Sequence, residues 1–267
     1  MRIVVGVGLG LIVAGATPSQ AAAPVPVTTC GQVVTGSGAL VADLDCSGQA
    51  DDAVKLAGRL FLNGFTLTGN PGFDVVRCEA GPCGVVGPGT VTGGLDGVRS
   101  DHGARVEAGA IVTGNAGDGV RTDSSAKVID ATISANGGDG VRSKTRATVQ
   151  RSTVSGNTGD GVRTDRTATV KTSTVTGNGG NGVDSDVTAK ATVTSVVSAN
   201  GFDGLKGLRV VLSNSSATGN GTNPACGVTD ECADLAAASK ASVKGTSTCG
   251  TSRNTESGGT WGVCSND

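Results

Sequence analysis

Apolar and polar residues alternate along this chain in very short runs, and the runs come back. Over Gly119–Asn136, Val120 opens a run, and Arg121 and Asp123 share its opposite face. Ala126 and Val128 return inward, a break at Asp130-Ala131 leads to Ile133, and Asn136 closes the unit. Val98, Val141, Val162, Val183 and Leu205 repeat Val120, while Val112, Val154, Val175 and Val197 repeat Ile133. Between breaks the apolar period is two, which predicts strands. The runs are too short, too β-branched and too often broken by glycine to be helices.

The units are copies of one another. Gly114-Asn115-Ala116-Gly117-Asp118-Gly119-Val120-Arg121 returns at Ala135–Arg142 and Gly156–Arg163, and more weakly at Gly177–Asp184 and Ala199–Lys206. Asn115, Asn136, Asn157, Asn178, Asn200 and Asn220 fall 20 to 22 residues apart. Three short strands in each turn of about 21 residues predict an all-β chain, a right-handed parallel β-helix solenoid. Each strand then pairs with its copy one coil on, about 4.8 Å along the axis, so identical residues stack in columns. The six asparagines are read as a structural ladder. Asn tolerates the left-handed backbone of a sharp corner, and its amide can bond up and down a stack. The glycine of each Asp-Gly-Val is read as a second tight corner.

Composition fits a thin solenoid. Aromatics make up 2% of the 267 residues, with one Trp and no Tyr, against 45 Gly. Val, Ile, Ala and Thr are bulky enough for a core one side-chain layer across. The net charge of −2 gives no global field for nucleic acid. Residues 1–21 read as a secretory signal peptide: Arg2, an apolar stretch over Ile3–Ala16, and a small-x-small ending at Ser19-Gln20-Ala21. No later segment is expected to span a membrane as a helix. The chain is therefore placed outside the cytoplasm. Residues 22–29 are read as an extended, mobile leader. A single domain follows over 30–267, with N-terminal coils at 30–94, regular repeats at 95–223 and a C-terminal cap at 224–267. Gly36-Ser37-Gly38 is read as a turn and Asn63-Gly64 as another. Residues 47–58 remain open between a short helix capped by Ser47 and a strand.

Eight cysteines flank the repeats: Cys30, Cys46, Cys78, Cys83 before them and Cys226, Cys232, Cys249, Cys264 after. An even number in an exported chain predicts disulfides. Pairing of neighbours is the simplest arrangement: 30–46, 78–83, 226–232 and 249–264. Metal binding is the weaker rival, since no CxxC occurs and the one histidine is remote in sequence. Trp261 is read as a plug over the lower end of the core, with sugar stacking as the alternative.

Cys30-Gly31-Gln32-Val33, Ala42–Gly48 and Leu62-Asn63-Gly64-Phe65-Thr66-Leu67 resemble the opening coils of secreted bacterial right-handed β-helix repeat proteins. Gly259-Thr260-Trp261-Gly262-Val263-Cys264 is similar to their C-terminal end. The resemblance covers nearly the whole mature chain and implies a pectate-lyase-like fold. It implies no activity by itself, because function belongs to a site and not to a fold. Enzymes of that fold act on acidic polysaccharides with carboxylates around calcium, or with a histidine beside aspartates.

Two constellations are candidates for chemistry. Asp101 and His102, in Ser100-Asp101-His102-Gly103, break the repeat as a catalytic acid–base pair would; a solvated loop histidine is the plainer reading. Arg99, Arg121, Arg142 and Arg163 form a column ended by Asp184. It reads as a locally compensated ladder, with Asp96, Asp118, Asp139 and Asp160 three residues earlier, or as a ligand-binding track for a polyanion. The recurring aspartates carry oxygen ligands of the type calcium takes, but they obey the repeat. No metal or cofactor is expected, and calcium enters only if the protein is an enzyme. The reading is an exported β-helix repeat protein of the cell surface or extracellular matrix, non-catalytic and polysaccharide-binding. The alternative is a lyase, epimerase or hydrolase acting on an acidic glycan.

Overall fold

A computed structural model describes residues 23–226 and 232–267; the predicted signal peptide lies outside them. The described residues form an all-β parallel solenoid of about 21 residues per turn. One regular coil shows the plan. Val120–Thr122 lies on a first face, Ser125–Ile129 on a second and Thr132–Ser134 on a third. Every strand pairs parallel with its copy in the next coil, as Val120 with Val141, Ala126 with Ala147 and Ile133 with Val154. The first two faces share one continuous 17-stranded sheet, and the third is a separate 10-stranded sheet.

The period-two pattern decides what is buried. Val98, Val120, Val141, Val162, Val183 and Leu205 stack from the first face with no exposed surface. The second face contributes columns of Ala and Val, and the third contributes Val112, Ile133, Val154, Val175 and Val197, all fully buried. Stacked β-branched side chains fill the narrow core without aromatics. The third face turns out two columns of small hydroxyl residues, such as Thr132/Ser134, Thr153/Ser155 and Thr174/Thr176.

The asparagine ladder runs the length of the repeats. The Asn136 amide donates from Nδ2 to Asn157 Oδ1 at 2.9 Å, and the same oxygen accepts the Asn136 backbone N–H at 3.1 Å. This pattern repeats from Asn115 to Asn220, and Asp234 ends it by accepting both donors of Asn220. The left-handed corner, however, belongs to the residue before each asparagine: Gly114, Ala135, Gly156, Gly177, Ala199 and Gly219 have φ between 52° and 64°. The asparagine side chain fastens the corner rather than making it. Nor do the Asp-Gly-Val glycines need positive φ. A Cβ on Gly119 would lie 2.5 Å from Ile133 Cγ2 and 2.7 Å from Asn136 Nδ2, so glycine there permits close approach. A second ladder, of serines, holds the corner between the second and third faces, where Ser152 N–H donates to Ser173 Oγ and Ala131 N–H to Ser152 Oγ.

The N-terminal expectations need two corrections. Val25–Val27 is a strand docked on Gly38–Leu40, with Val27 buried, rather than a mobile leader. Gly36-Ser37-Gly38 is no turn, because Gln32–Leu40 runs unbroken and pairs with Val54–Phe61. That second strand resolves the open segment: residues 47–53 are turns and bends, and Val54 begins a strand. Asn63 and Gly64 both have positive φ, as a turn there requires.

The disulfides are Cys30–Cys46, Cys78–Cys83, Cys226–Cys232 and Cys249–Cys264. Trp261 packs against the lower edge of the core and donates from Nε1 to the Ala237 carbonyl at 3.1 Å.

Candidate functional site

The predicted arginine column stands on the first face in register: Arg99, Arg121, Arg142 and Arg163 are direct neighbours in successive coils, followed by Asp184. It is longer than the sequence reading allowed. Lys55 and Arg77 precede Arg99, and Lys206 follows Asp184. The signal for Arg77 was present, since Asp74-Val75-Val76-Arg77 repeats the spacing of Asp96-Gly97-Val98-Arg99.

A column of carboxylates, buried from Asp74 onward, runs beside the arginines. Asp52, Asp74, Asp96, Asp118, Asp139 and Asp160 each accept on Oδ1 the backbone N–H of the equivalent residue one coil on. The distances are 2.6–3.3 Å, and the last donor is Asn181. The second oxygen faces an arginine: Arg99–Asp96 is 3.5 Å, and Arg121–Asp118, Arg142–Asp139 and Arg163–Asp160 are each 3.8 Å. Burial removes water from these carboxylates and holds Asp74, Asp118 and Asp160 up at about 6. Neighbouring aspartates add to the rise, Asp96 on Asp74 and Asp139 on Asp118 and Asp160. Asp118 Oδ2 is buried with no hydrogen bond. Each arginine of the predicted track therefore has a carboxylate partner, and the column is a laddered ion-pair array.

Asp101 and His102 lie together in the corner after Val98–Ser100, exposed to solvent. Arg77 donates from Nη2 to Asp101 Oδ2 at 2.8 Å, and Arg99 is 4.0 Å away. His102 contributes its backbone: its N–H donates to Ser100 Oγ at 3.1 Å and its carbonyl accepts from the Thr122 hydroxyl. In the regular coils the faces are joined by connections of two residues, 123–124 and 130–131, and one of six, 135–140. Asp101 and His102 sit in a connection of three residues, 101–103, and both are exposed there. Calcium, implied only by the enzyme alternative, meets no grouping of three His, Cys, Asp or Glu suited to a metal among the described residues. The aspartate oxygens face backbone N–H groups and guanidinium groups instead.

No protein-family model and no curated protein sequence matches the chain. Among solved structures, the A-module of the mannuronan C-5 epimerase AlgE6 of Azotobacter vinelandii is similar at 12% identity and a TM-score of 0.42. That alignment covers 83% of this chain and 87% of the module. No helix among the described residues is long and apolar enough to cross a membrane.

Proposed function

We propose that this protein is an exported, non-catalytic solenoid that binds a polysaccharide along its length, at the cell surface or in the extracellular matrix. One observation carries the reading: the same outward side chains recur in register, arginines on the first face and threonine and serine on the third, one set per coil. The ligand that matches such a surface is itself a chain of repeating units. The strand spacing of about 4.8 Å is close to the length of one sugar residue, so contacts made in one coil can be made again in the next. Outward threonine and serine hydroxyls offer both donors and acceptors to sugar hydroxyls. Four disulfides support an oxidising compartment. Asp101, held by Arg77, and His102, exposed on an open corner, lack the enclosure that electrostatic catalysis exploits.

A panel of acidic and neutral polysaccharides, with and without calcium, tests the reading when scored for retention and for polymer integrity. Retention with unchanged chain length and sugar stereochemistry is expected. Cleavage or epimerisation that His102→Ala abolishes, with thermal unfolding unchanged, would make the protein an enzyme and overturn the proposal.

A further inference from the structure

The second face carries the positive charge that is compensated on the first. Across five coils its second-face segments, Ser125–Ile129, Arg146–Gln150, Thr167–Lys171, 188–192 and 209–213, hold Lys127, Arg146, Lys171, Lys190 and Arg209 and no carboxylate, while Asp184 and Asp186 lie earlier in the strand Val183–Thr192. The next coil adds Lys240 and Lys244. All point outward, because they alternate with fully buried Ala126, Val128, Ala147, Val149, Ala168 and Val170 and their successors.

Three rim carboxylates are held by other cations, and two more, Asp165 and Asp186, stand exposed in the corners that lead into the second face, outside the lining of the depression on that face. Glu107 is held by Arg105, Asp123 by Lys144 at 3.1 Å, and Asp130 by Arg151 through two hydrogen bonds of 2.6 and 2.7 Å. None of the five cations is in an ion pair among the described residues, whereas Arg121, Arg142 and Arg163 each have a carboxylate. A shallow depression of about 540 Å³ opens among Ser125, Lys127, Thr145, Arg146, Thr148 and Arg166. It offers ammonium, guanidinium and hydroxyl donors and no acid.

We infer that this second face is the docking strip for an acidic polysaccharide. Its sulfate or carboxylate groups contact Lys127, Arg146 and Arg166 in the depression, and its chain continues toward Lys190 and Arg209. The inference rests on the polysaccharide reading above and adds the face and the charge class. Guanidinium and ammonium groups without a resident carboxylate give charge-assisted hydrogen bonds to such groups at little competing cost. A nucleic acid fits less well. Single strands need aromatic stacking platforms, and the strip has none: the exposed Phe73 and Phe202 precede the first-face strands instead. For a duplex, the net charge of −2 provides no global attractive field.

The test uses the full mature chain with dextran sulfate, polygalacturonate, plain dextran and duplex DNA as probes. Lys127→Gln/Arg146→Gln/Arg166→Gln strips the depression, and Arg121→Gln/Arg142→Gln/Arg163→Gln strips the first face. Circular dichroism and thermal unfolding establish that each folds, and Arg146→Glu alone serves where a triple variant does not. The second-face variant should bind dextran sulfate about ten-fold more weakly at low salt, with a shallower salt dependence, while the first-face variant changes by less than about three-fold. Equal losses in both variants, or none in the second-face variant, would overturn the assignment. Dextran bound as tightly as dextran sulfate would remove the charge class and leave the polysaccharide reading standing. Failure of every polysaccharide would remove both. DNA bound more tightly than dextran sulfate, through the same residues, would overturn the choice of partner.

Discussion

Gly140 and Gly156 show that one residue type answers two different demands in this chain. A Cβ on Gly140 would lie 2.5 Å from Val154 Cγ1 and 2.7 Å from both Asn157 Nδ2 and the Gly161 carbonyl. Backbone and ladder would have to separate, so Gly140→Ala should destabilise by about 3 kcal/mol. Gly156 has φ +63°, and a Cβ there would meet nothing closer than 3.9 Å. Ala135 and Ala199 occupy the same corner at φ 52° and 53°, so Gly156→Ala should cost only about 1 kcal/mol. Asn157 is a third case, 1% exposed. Its Oδ1 takes two donors of Asn136, and its Nδ2 donates to Asn178 Oδ1 at 2.9 Å. Asn157→Ala leaves buried partners unsatisfied and should cost about 1–3 kcal/mol, while the exposed Thr158→Ala should be near neutral. Chemical denaturation of the four variants checks the order; a Gly156 variant weaker than the Gly140 variant would refute the steric argument.

At the scale of the element, the aspartate column ties stability to pH. Burial raises Asp74, Asp118 and Asp160 from 3.8 to about 6, so the folded chain holds protons there that the unfolded chain has released. Their contribution therefore falls as pH rises between about 4 and 6 and levels off above that. Asp123 and Asp130, lowered by hydrogen bonds from Lys144 and Arg151, act in the opposite sense, but only below their ordinary range. The midpoint of thermal unfolding should be higher near pH 4.5 than at pH 7. Burial raises Asp52, Asp184 and Asp203 as well; Asn181 already occupies the column and accepts the Asp203 N–H at 3.0 Å, so Asp74→Asn/Asp118→Asn/Asp160→Asn should fold with a clearly reduced slope. A slope undiminished in the triple variant would place its origin elsewhere. The strands and columns were legible in the sequence because Val120, Arg121 and Asn136 recur at fixed positions. The second-face cations were not, because Lys127, Arg146 and Lys171 take three different outward positions on their strands. Only pairing in space assembles them into one strip. The serine corner was missed for a related reason, since Ser152 and Ser173 lie in runs already crowded with Ser and Thr.

The whole molecule is a stack whose middle coils have neighbours on both sides and whose last coils do not. Its C-terminal end is fastened by several devices at once. Cys249–Cys264 closes a loop of 15 residues, and Trp261 caps the core edge. The Asp267 carboxylate collects the N–H groups of Ser252, Val263 and Cys264 at 2.6, 2.6 and 2.8 Å. Asp234 joins this end to the asparagine ladder, accepting Asn220 Nδ2 at 2.8 Å on one oxygen and Gly250 N–H at 2.9 Å on the other. A solenoid's stability is a sum of coil and neighbour terms, so a defect at one end propagates only as far as the coupling carries it. Closing a loop of this size is worth about 3 kcal/mol in the chain-entropy model. Cys249→Ser/Cys264→Ser should therefore loosen the last coils first. Hydrogen exchange followed by mass spectrometry should show faster exchange over Leu235–Asn254, with Val120–Thr176 unchanged. The Asp234 link predicts where the loosening stops: adding Asp234→Asn, which keeps one acceptor oxygen and loses the charge, should carry it back toward Asn220 and Asn200. Uniform acceleration along the chain would mean that the coils unfold as one unit and that the ladder, not the cap, sets the stability of the end.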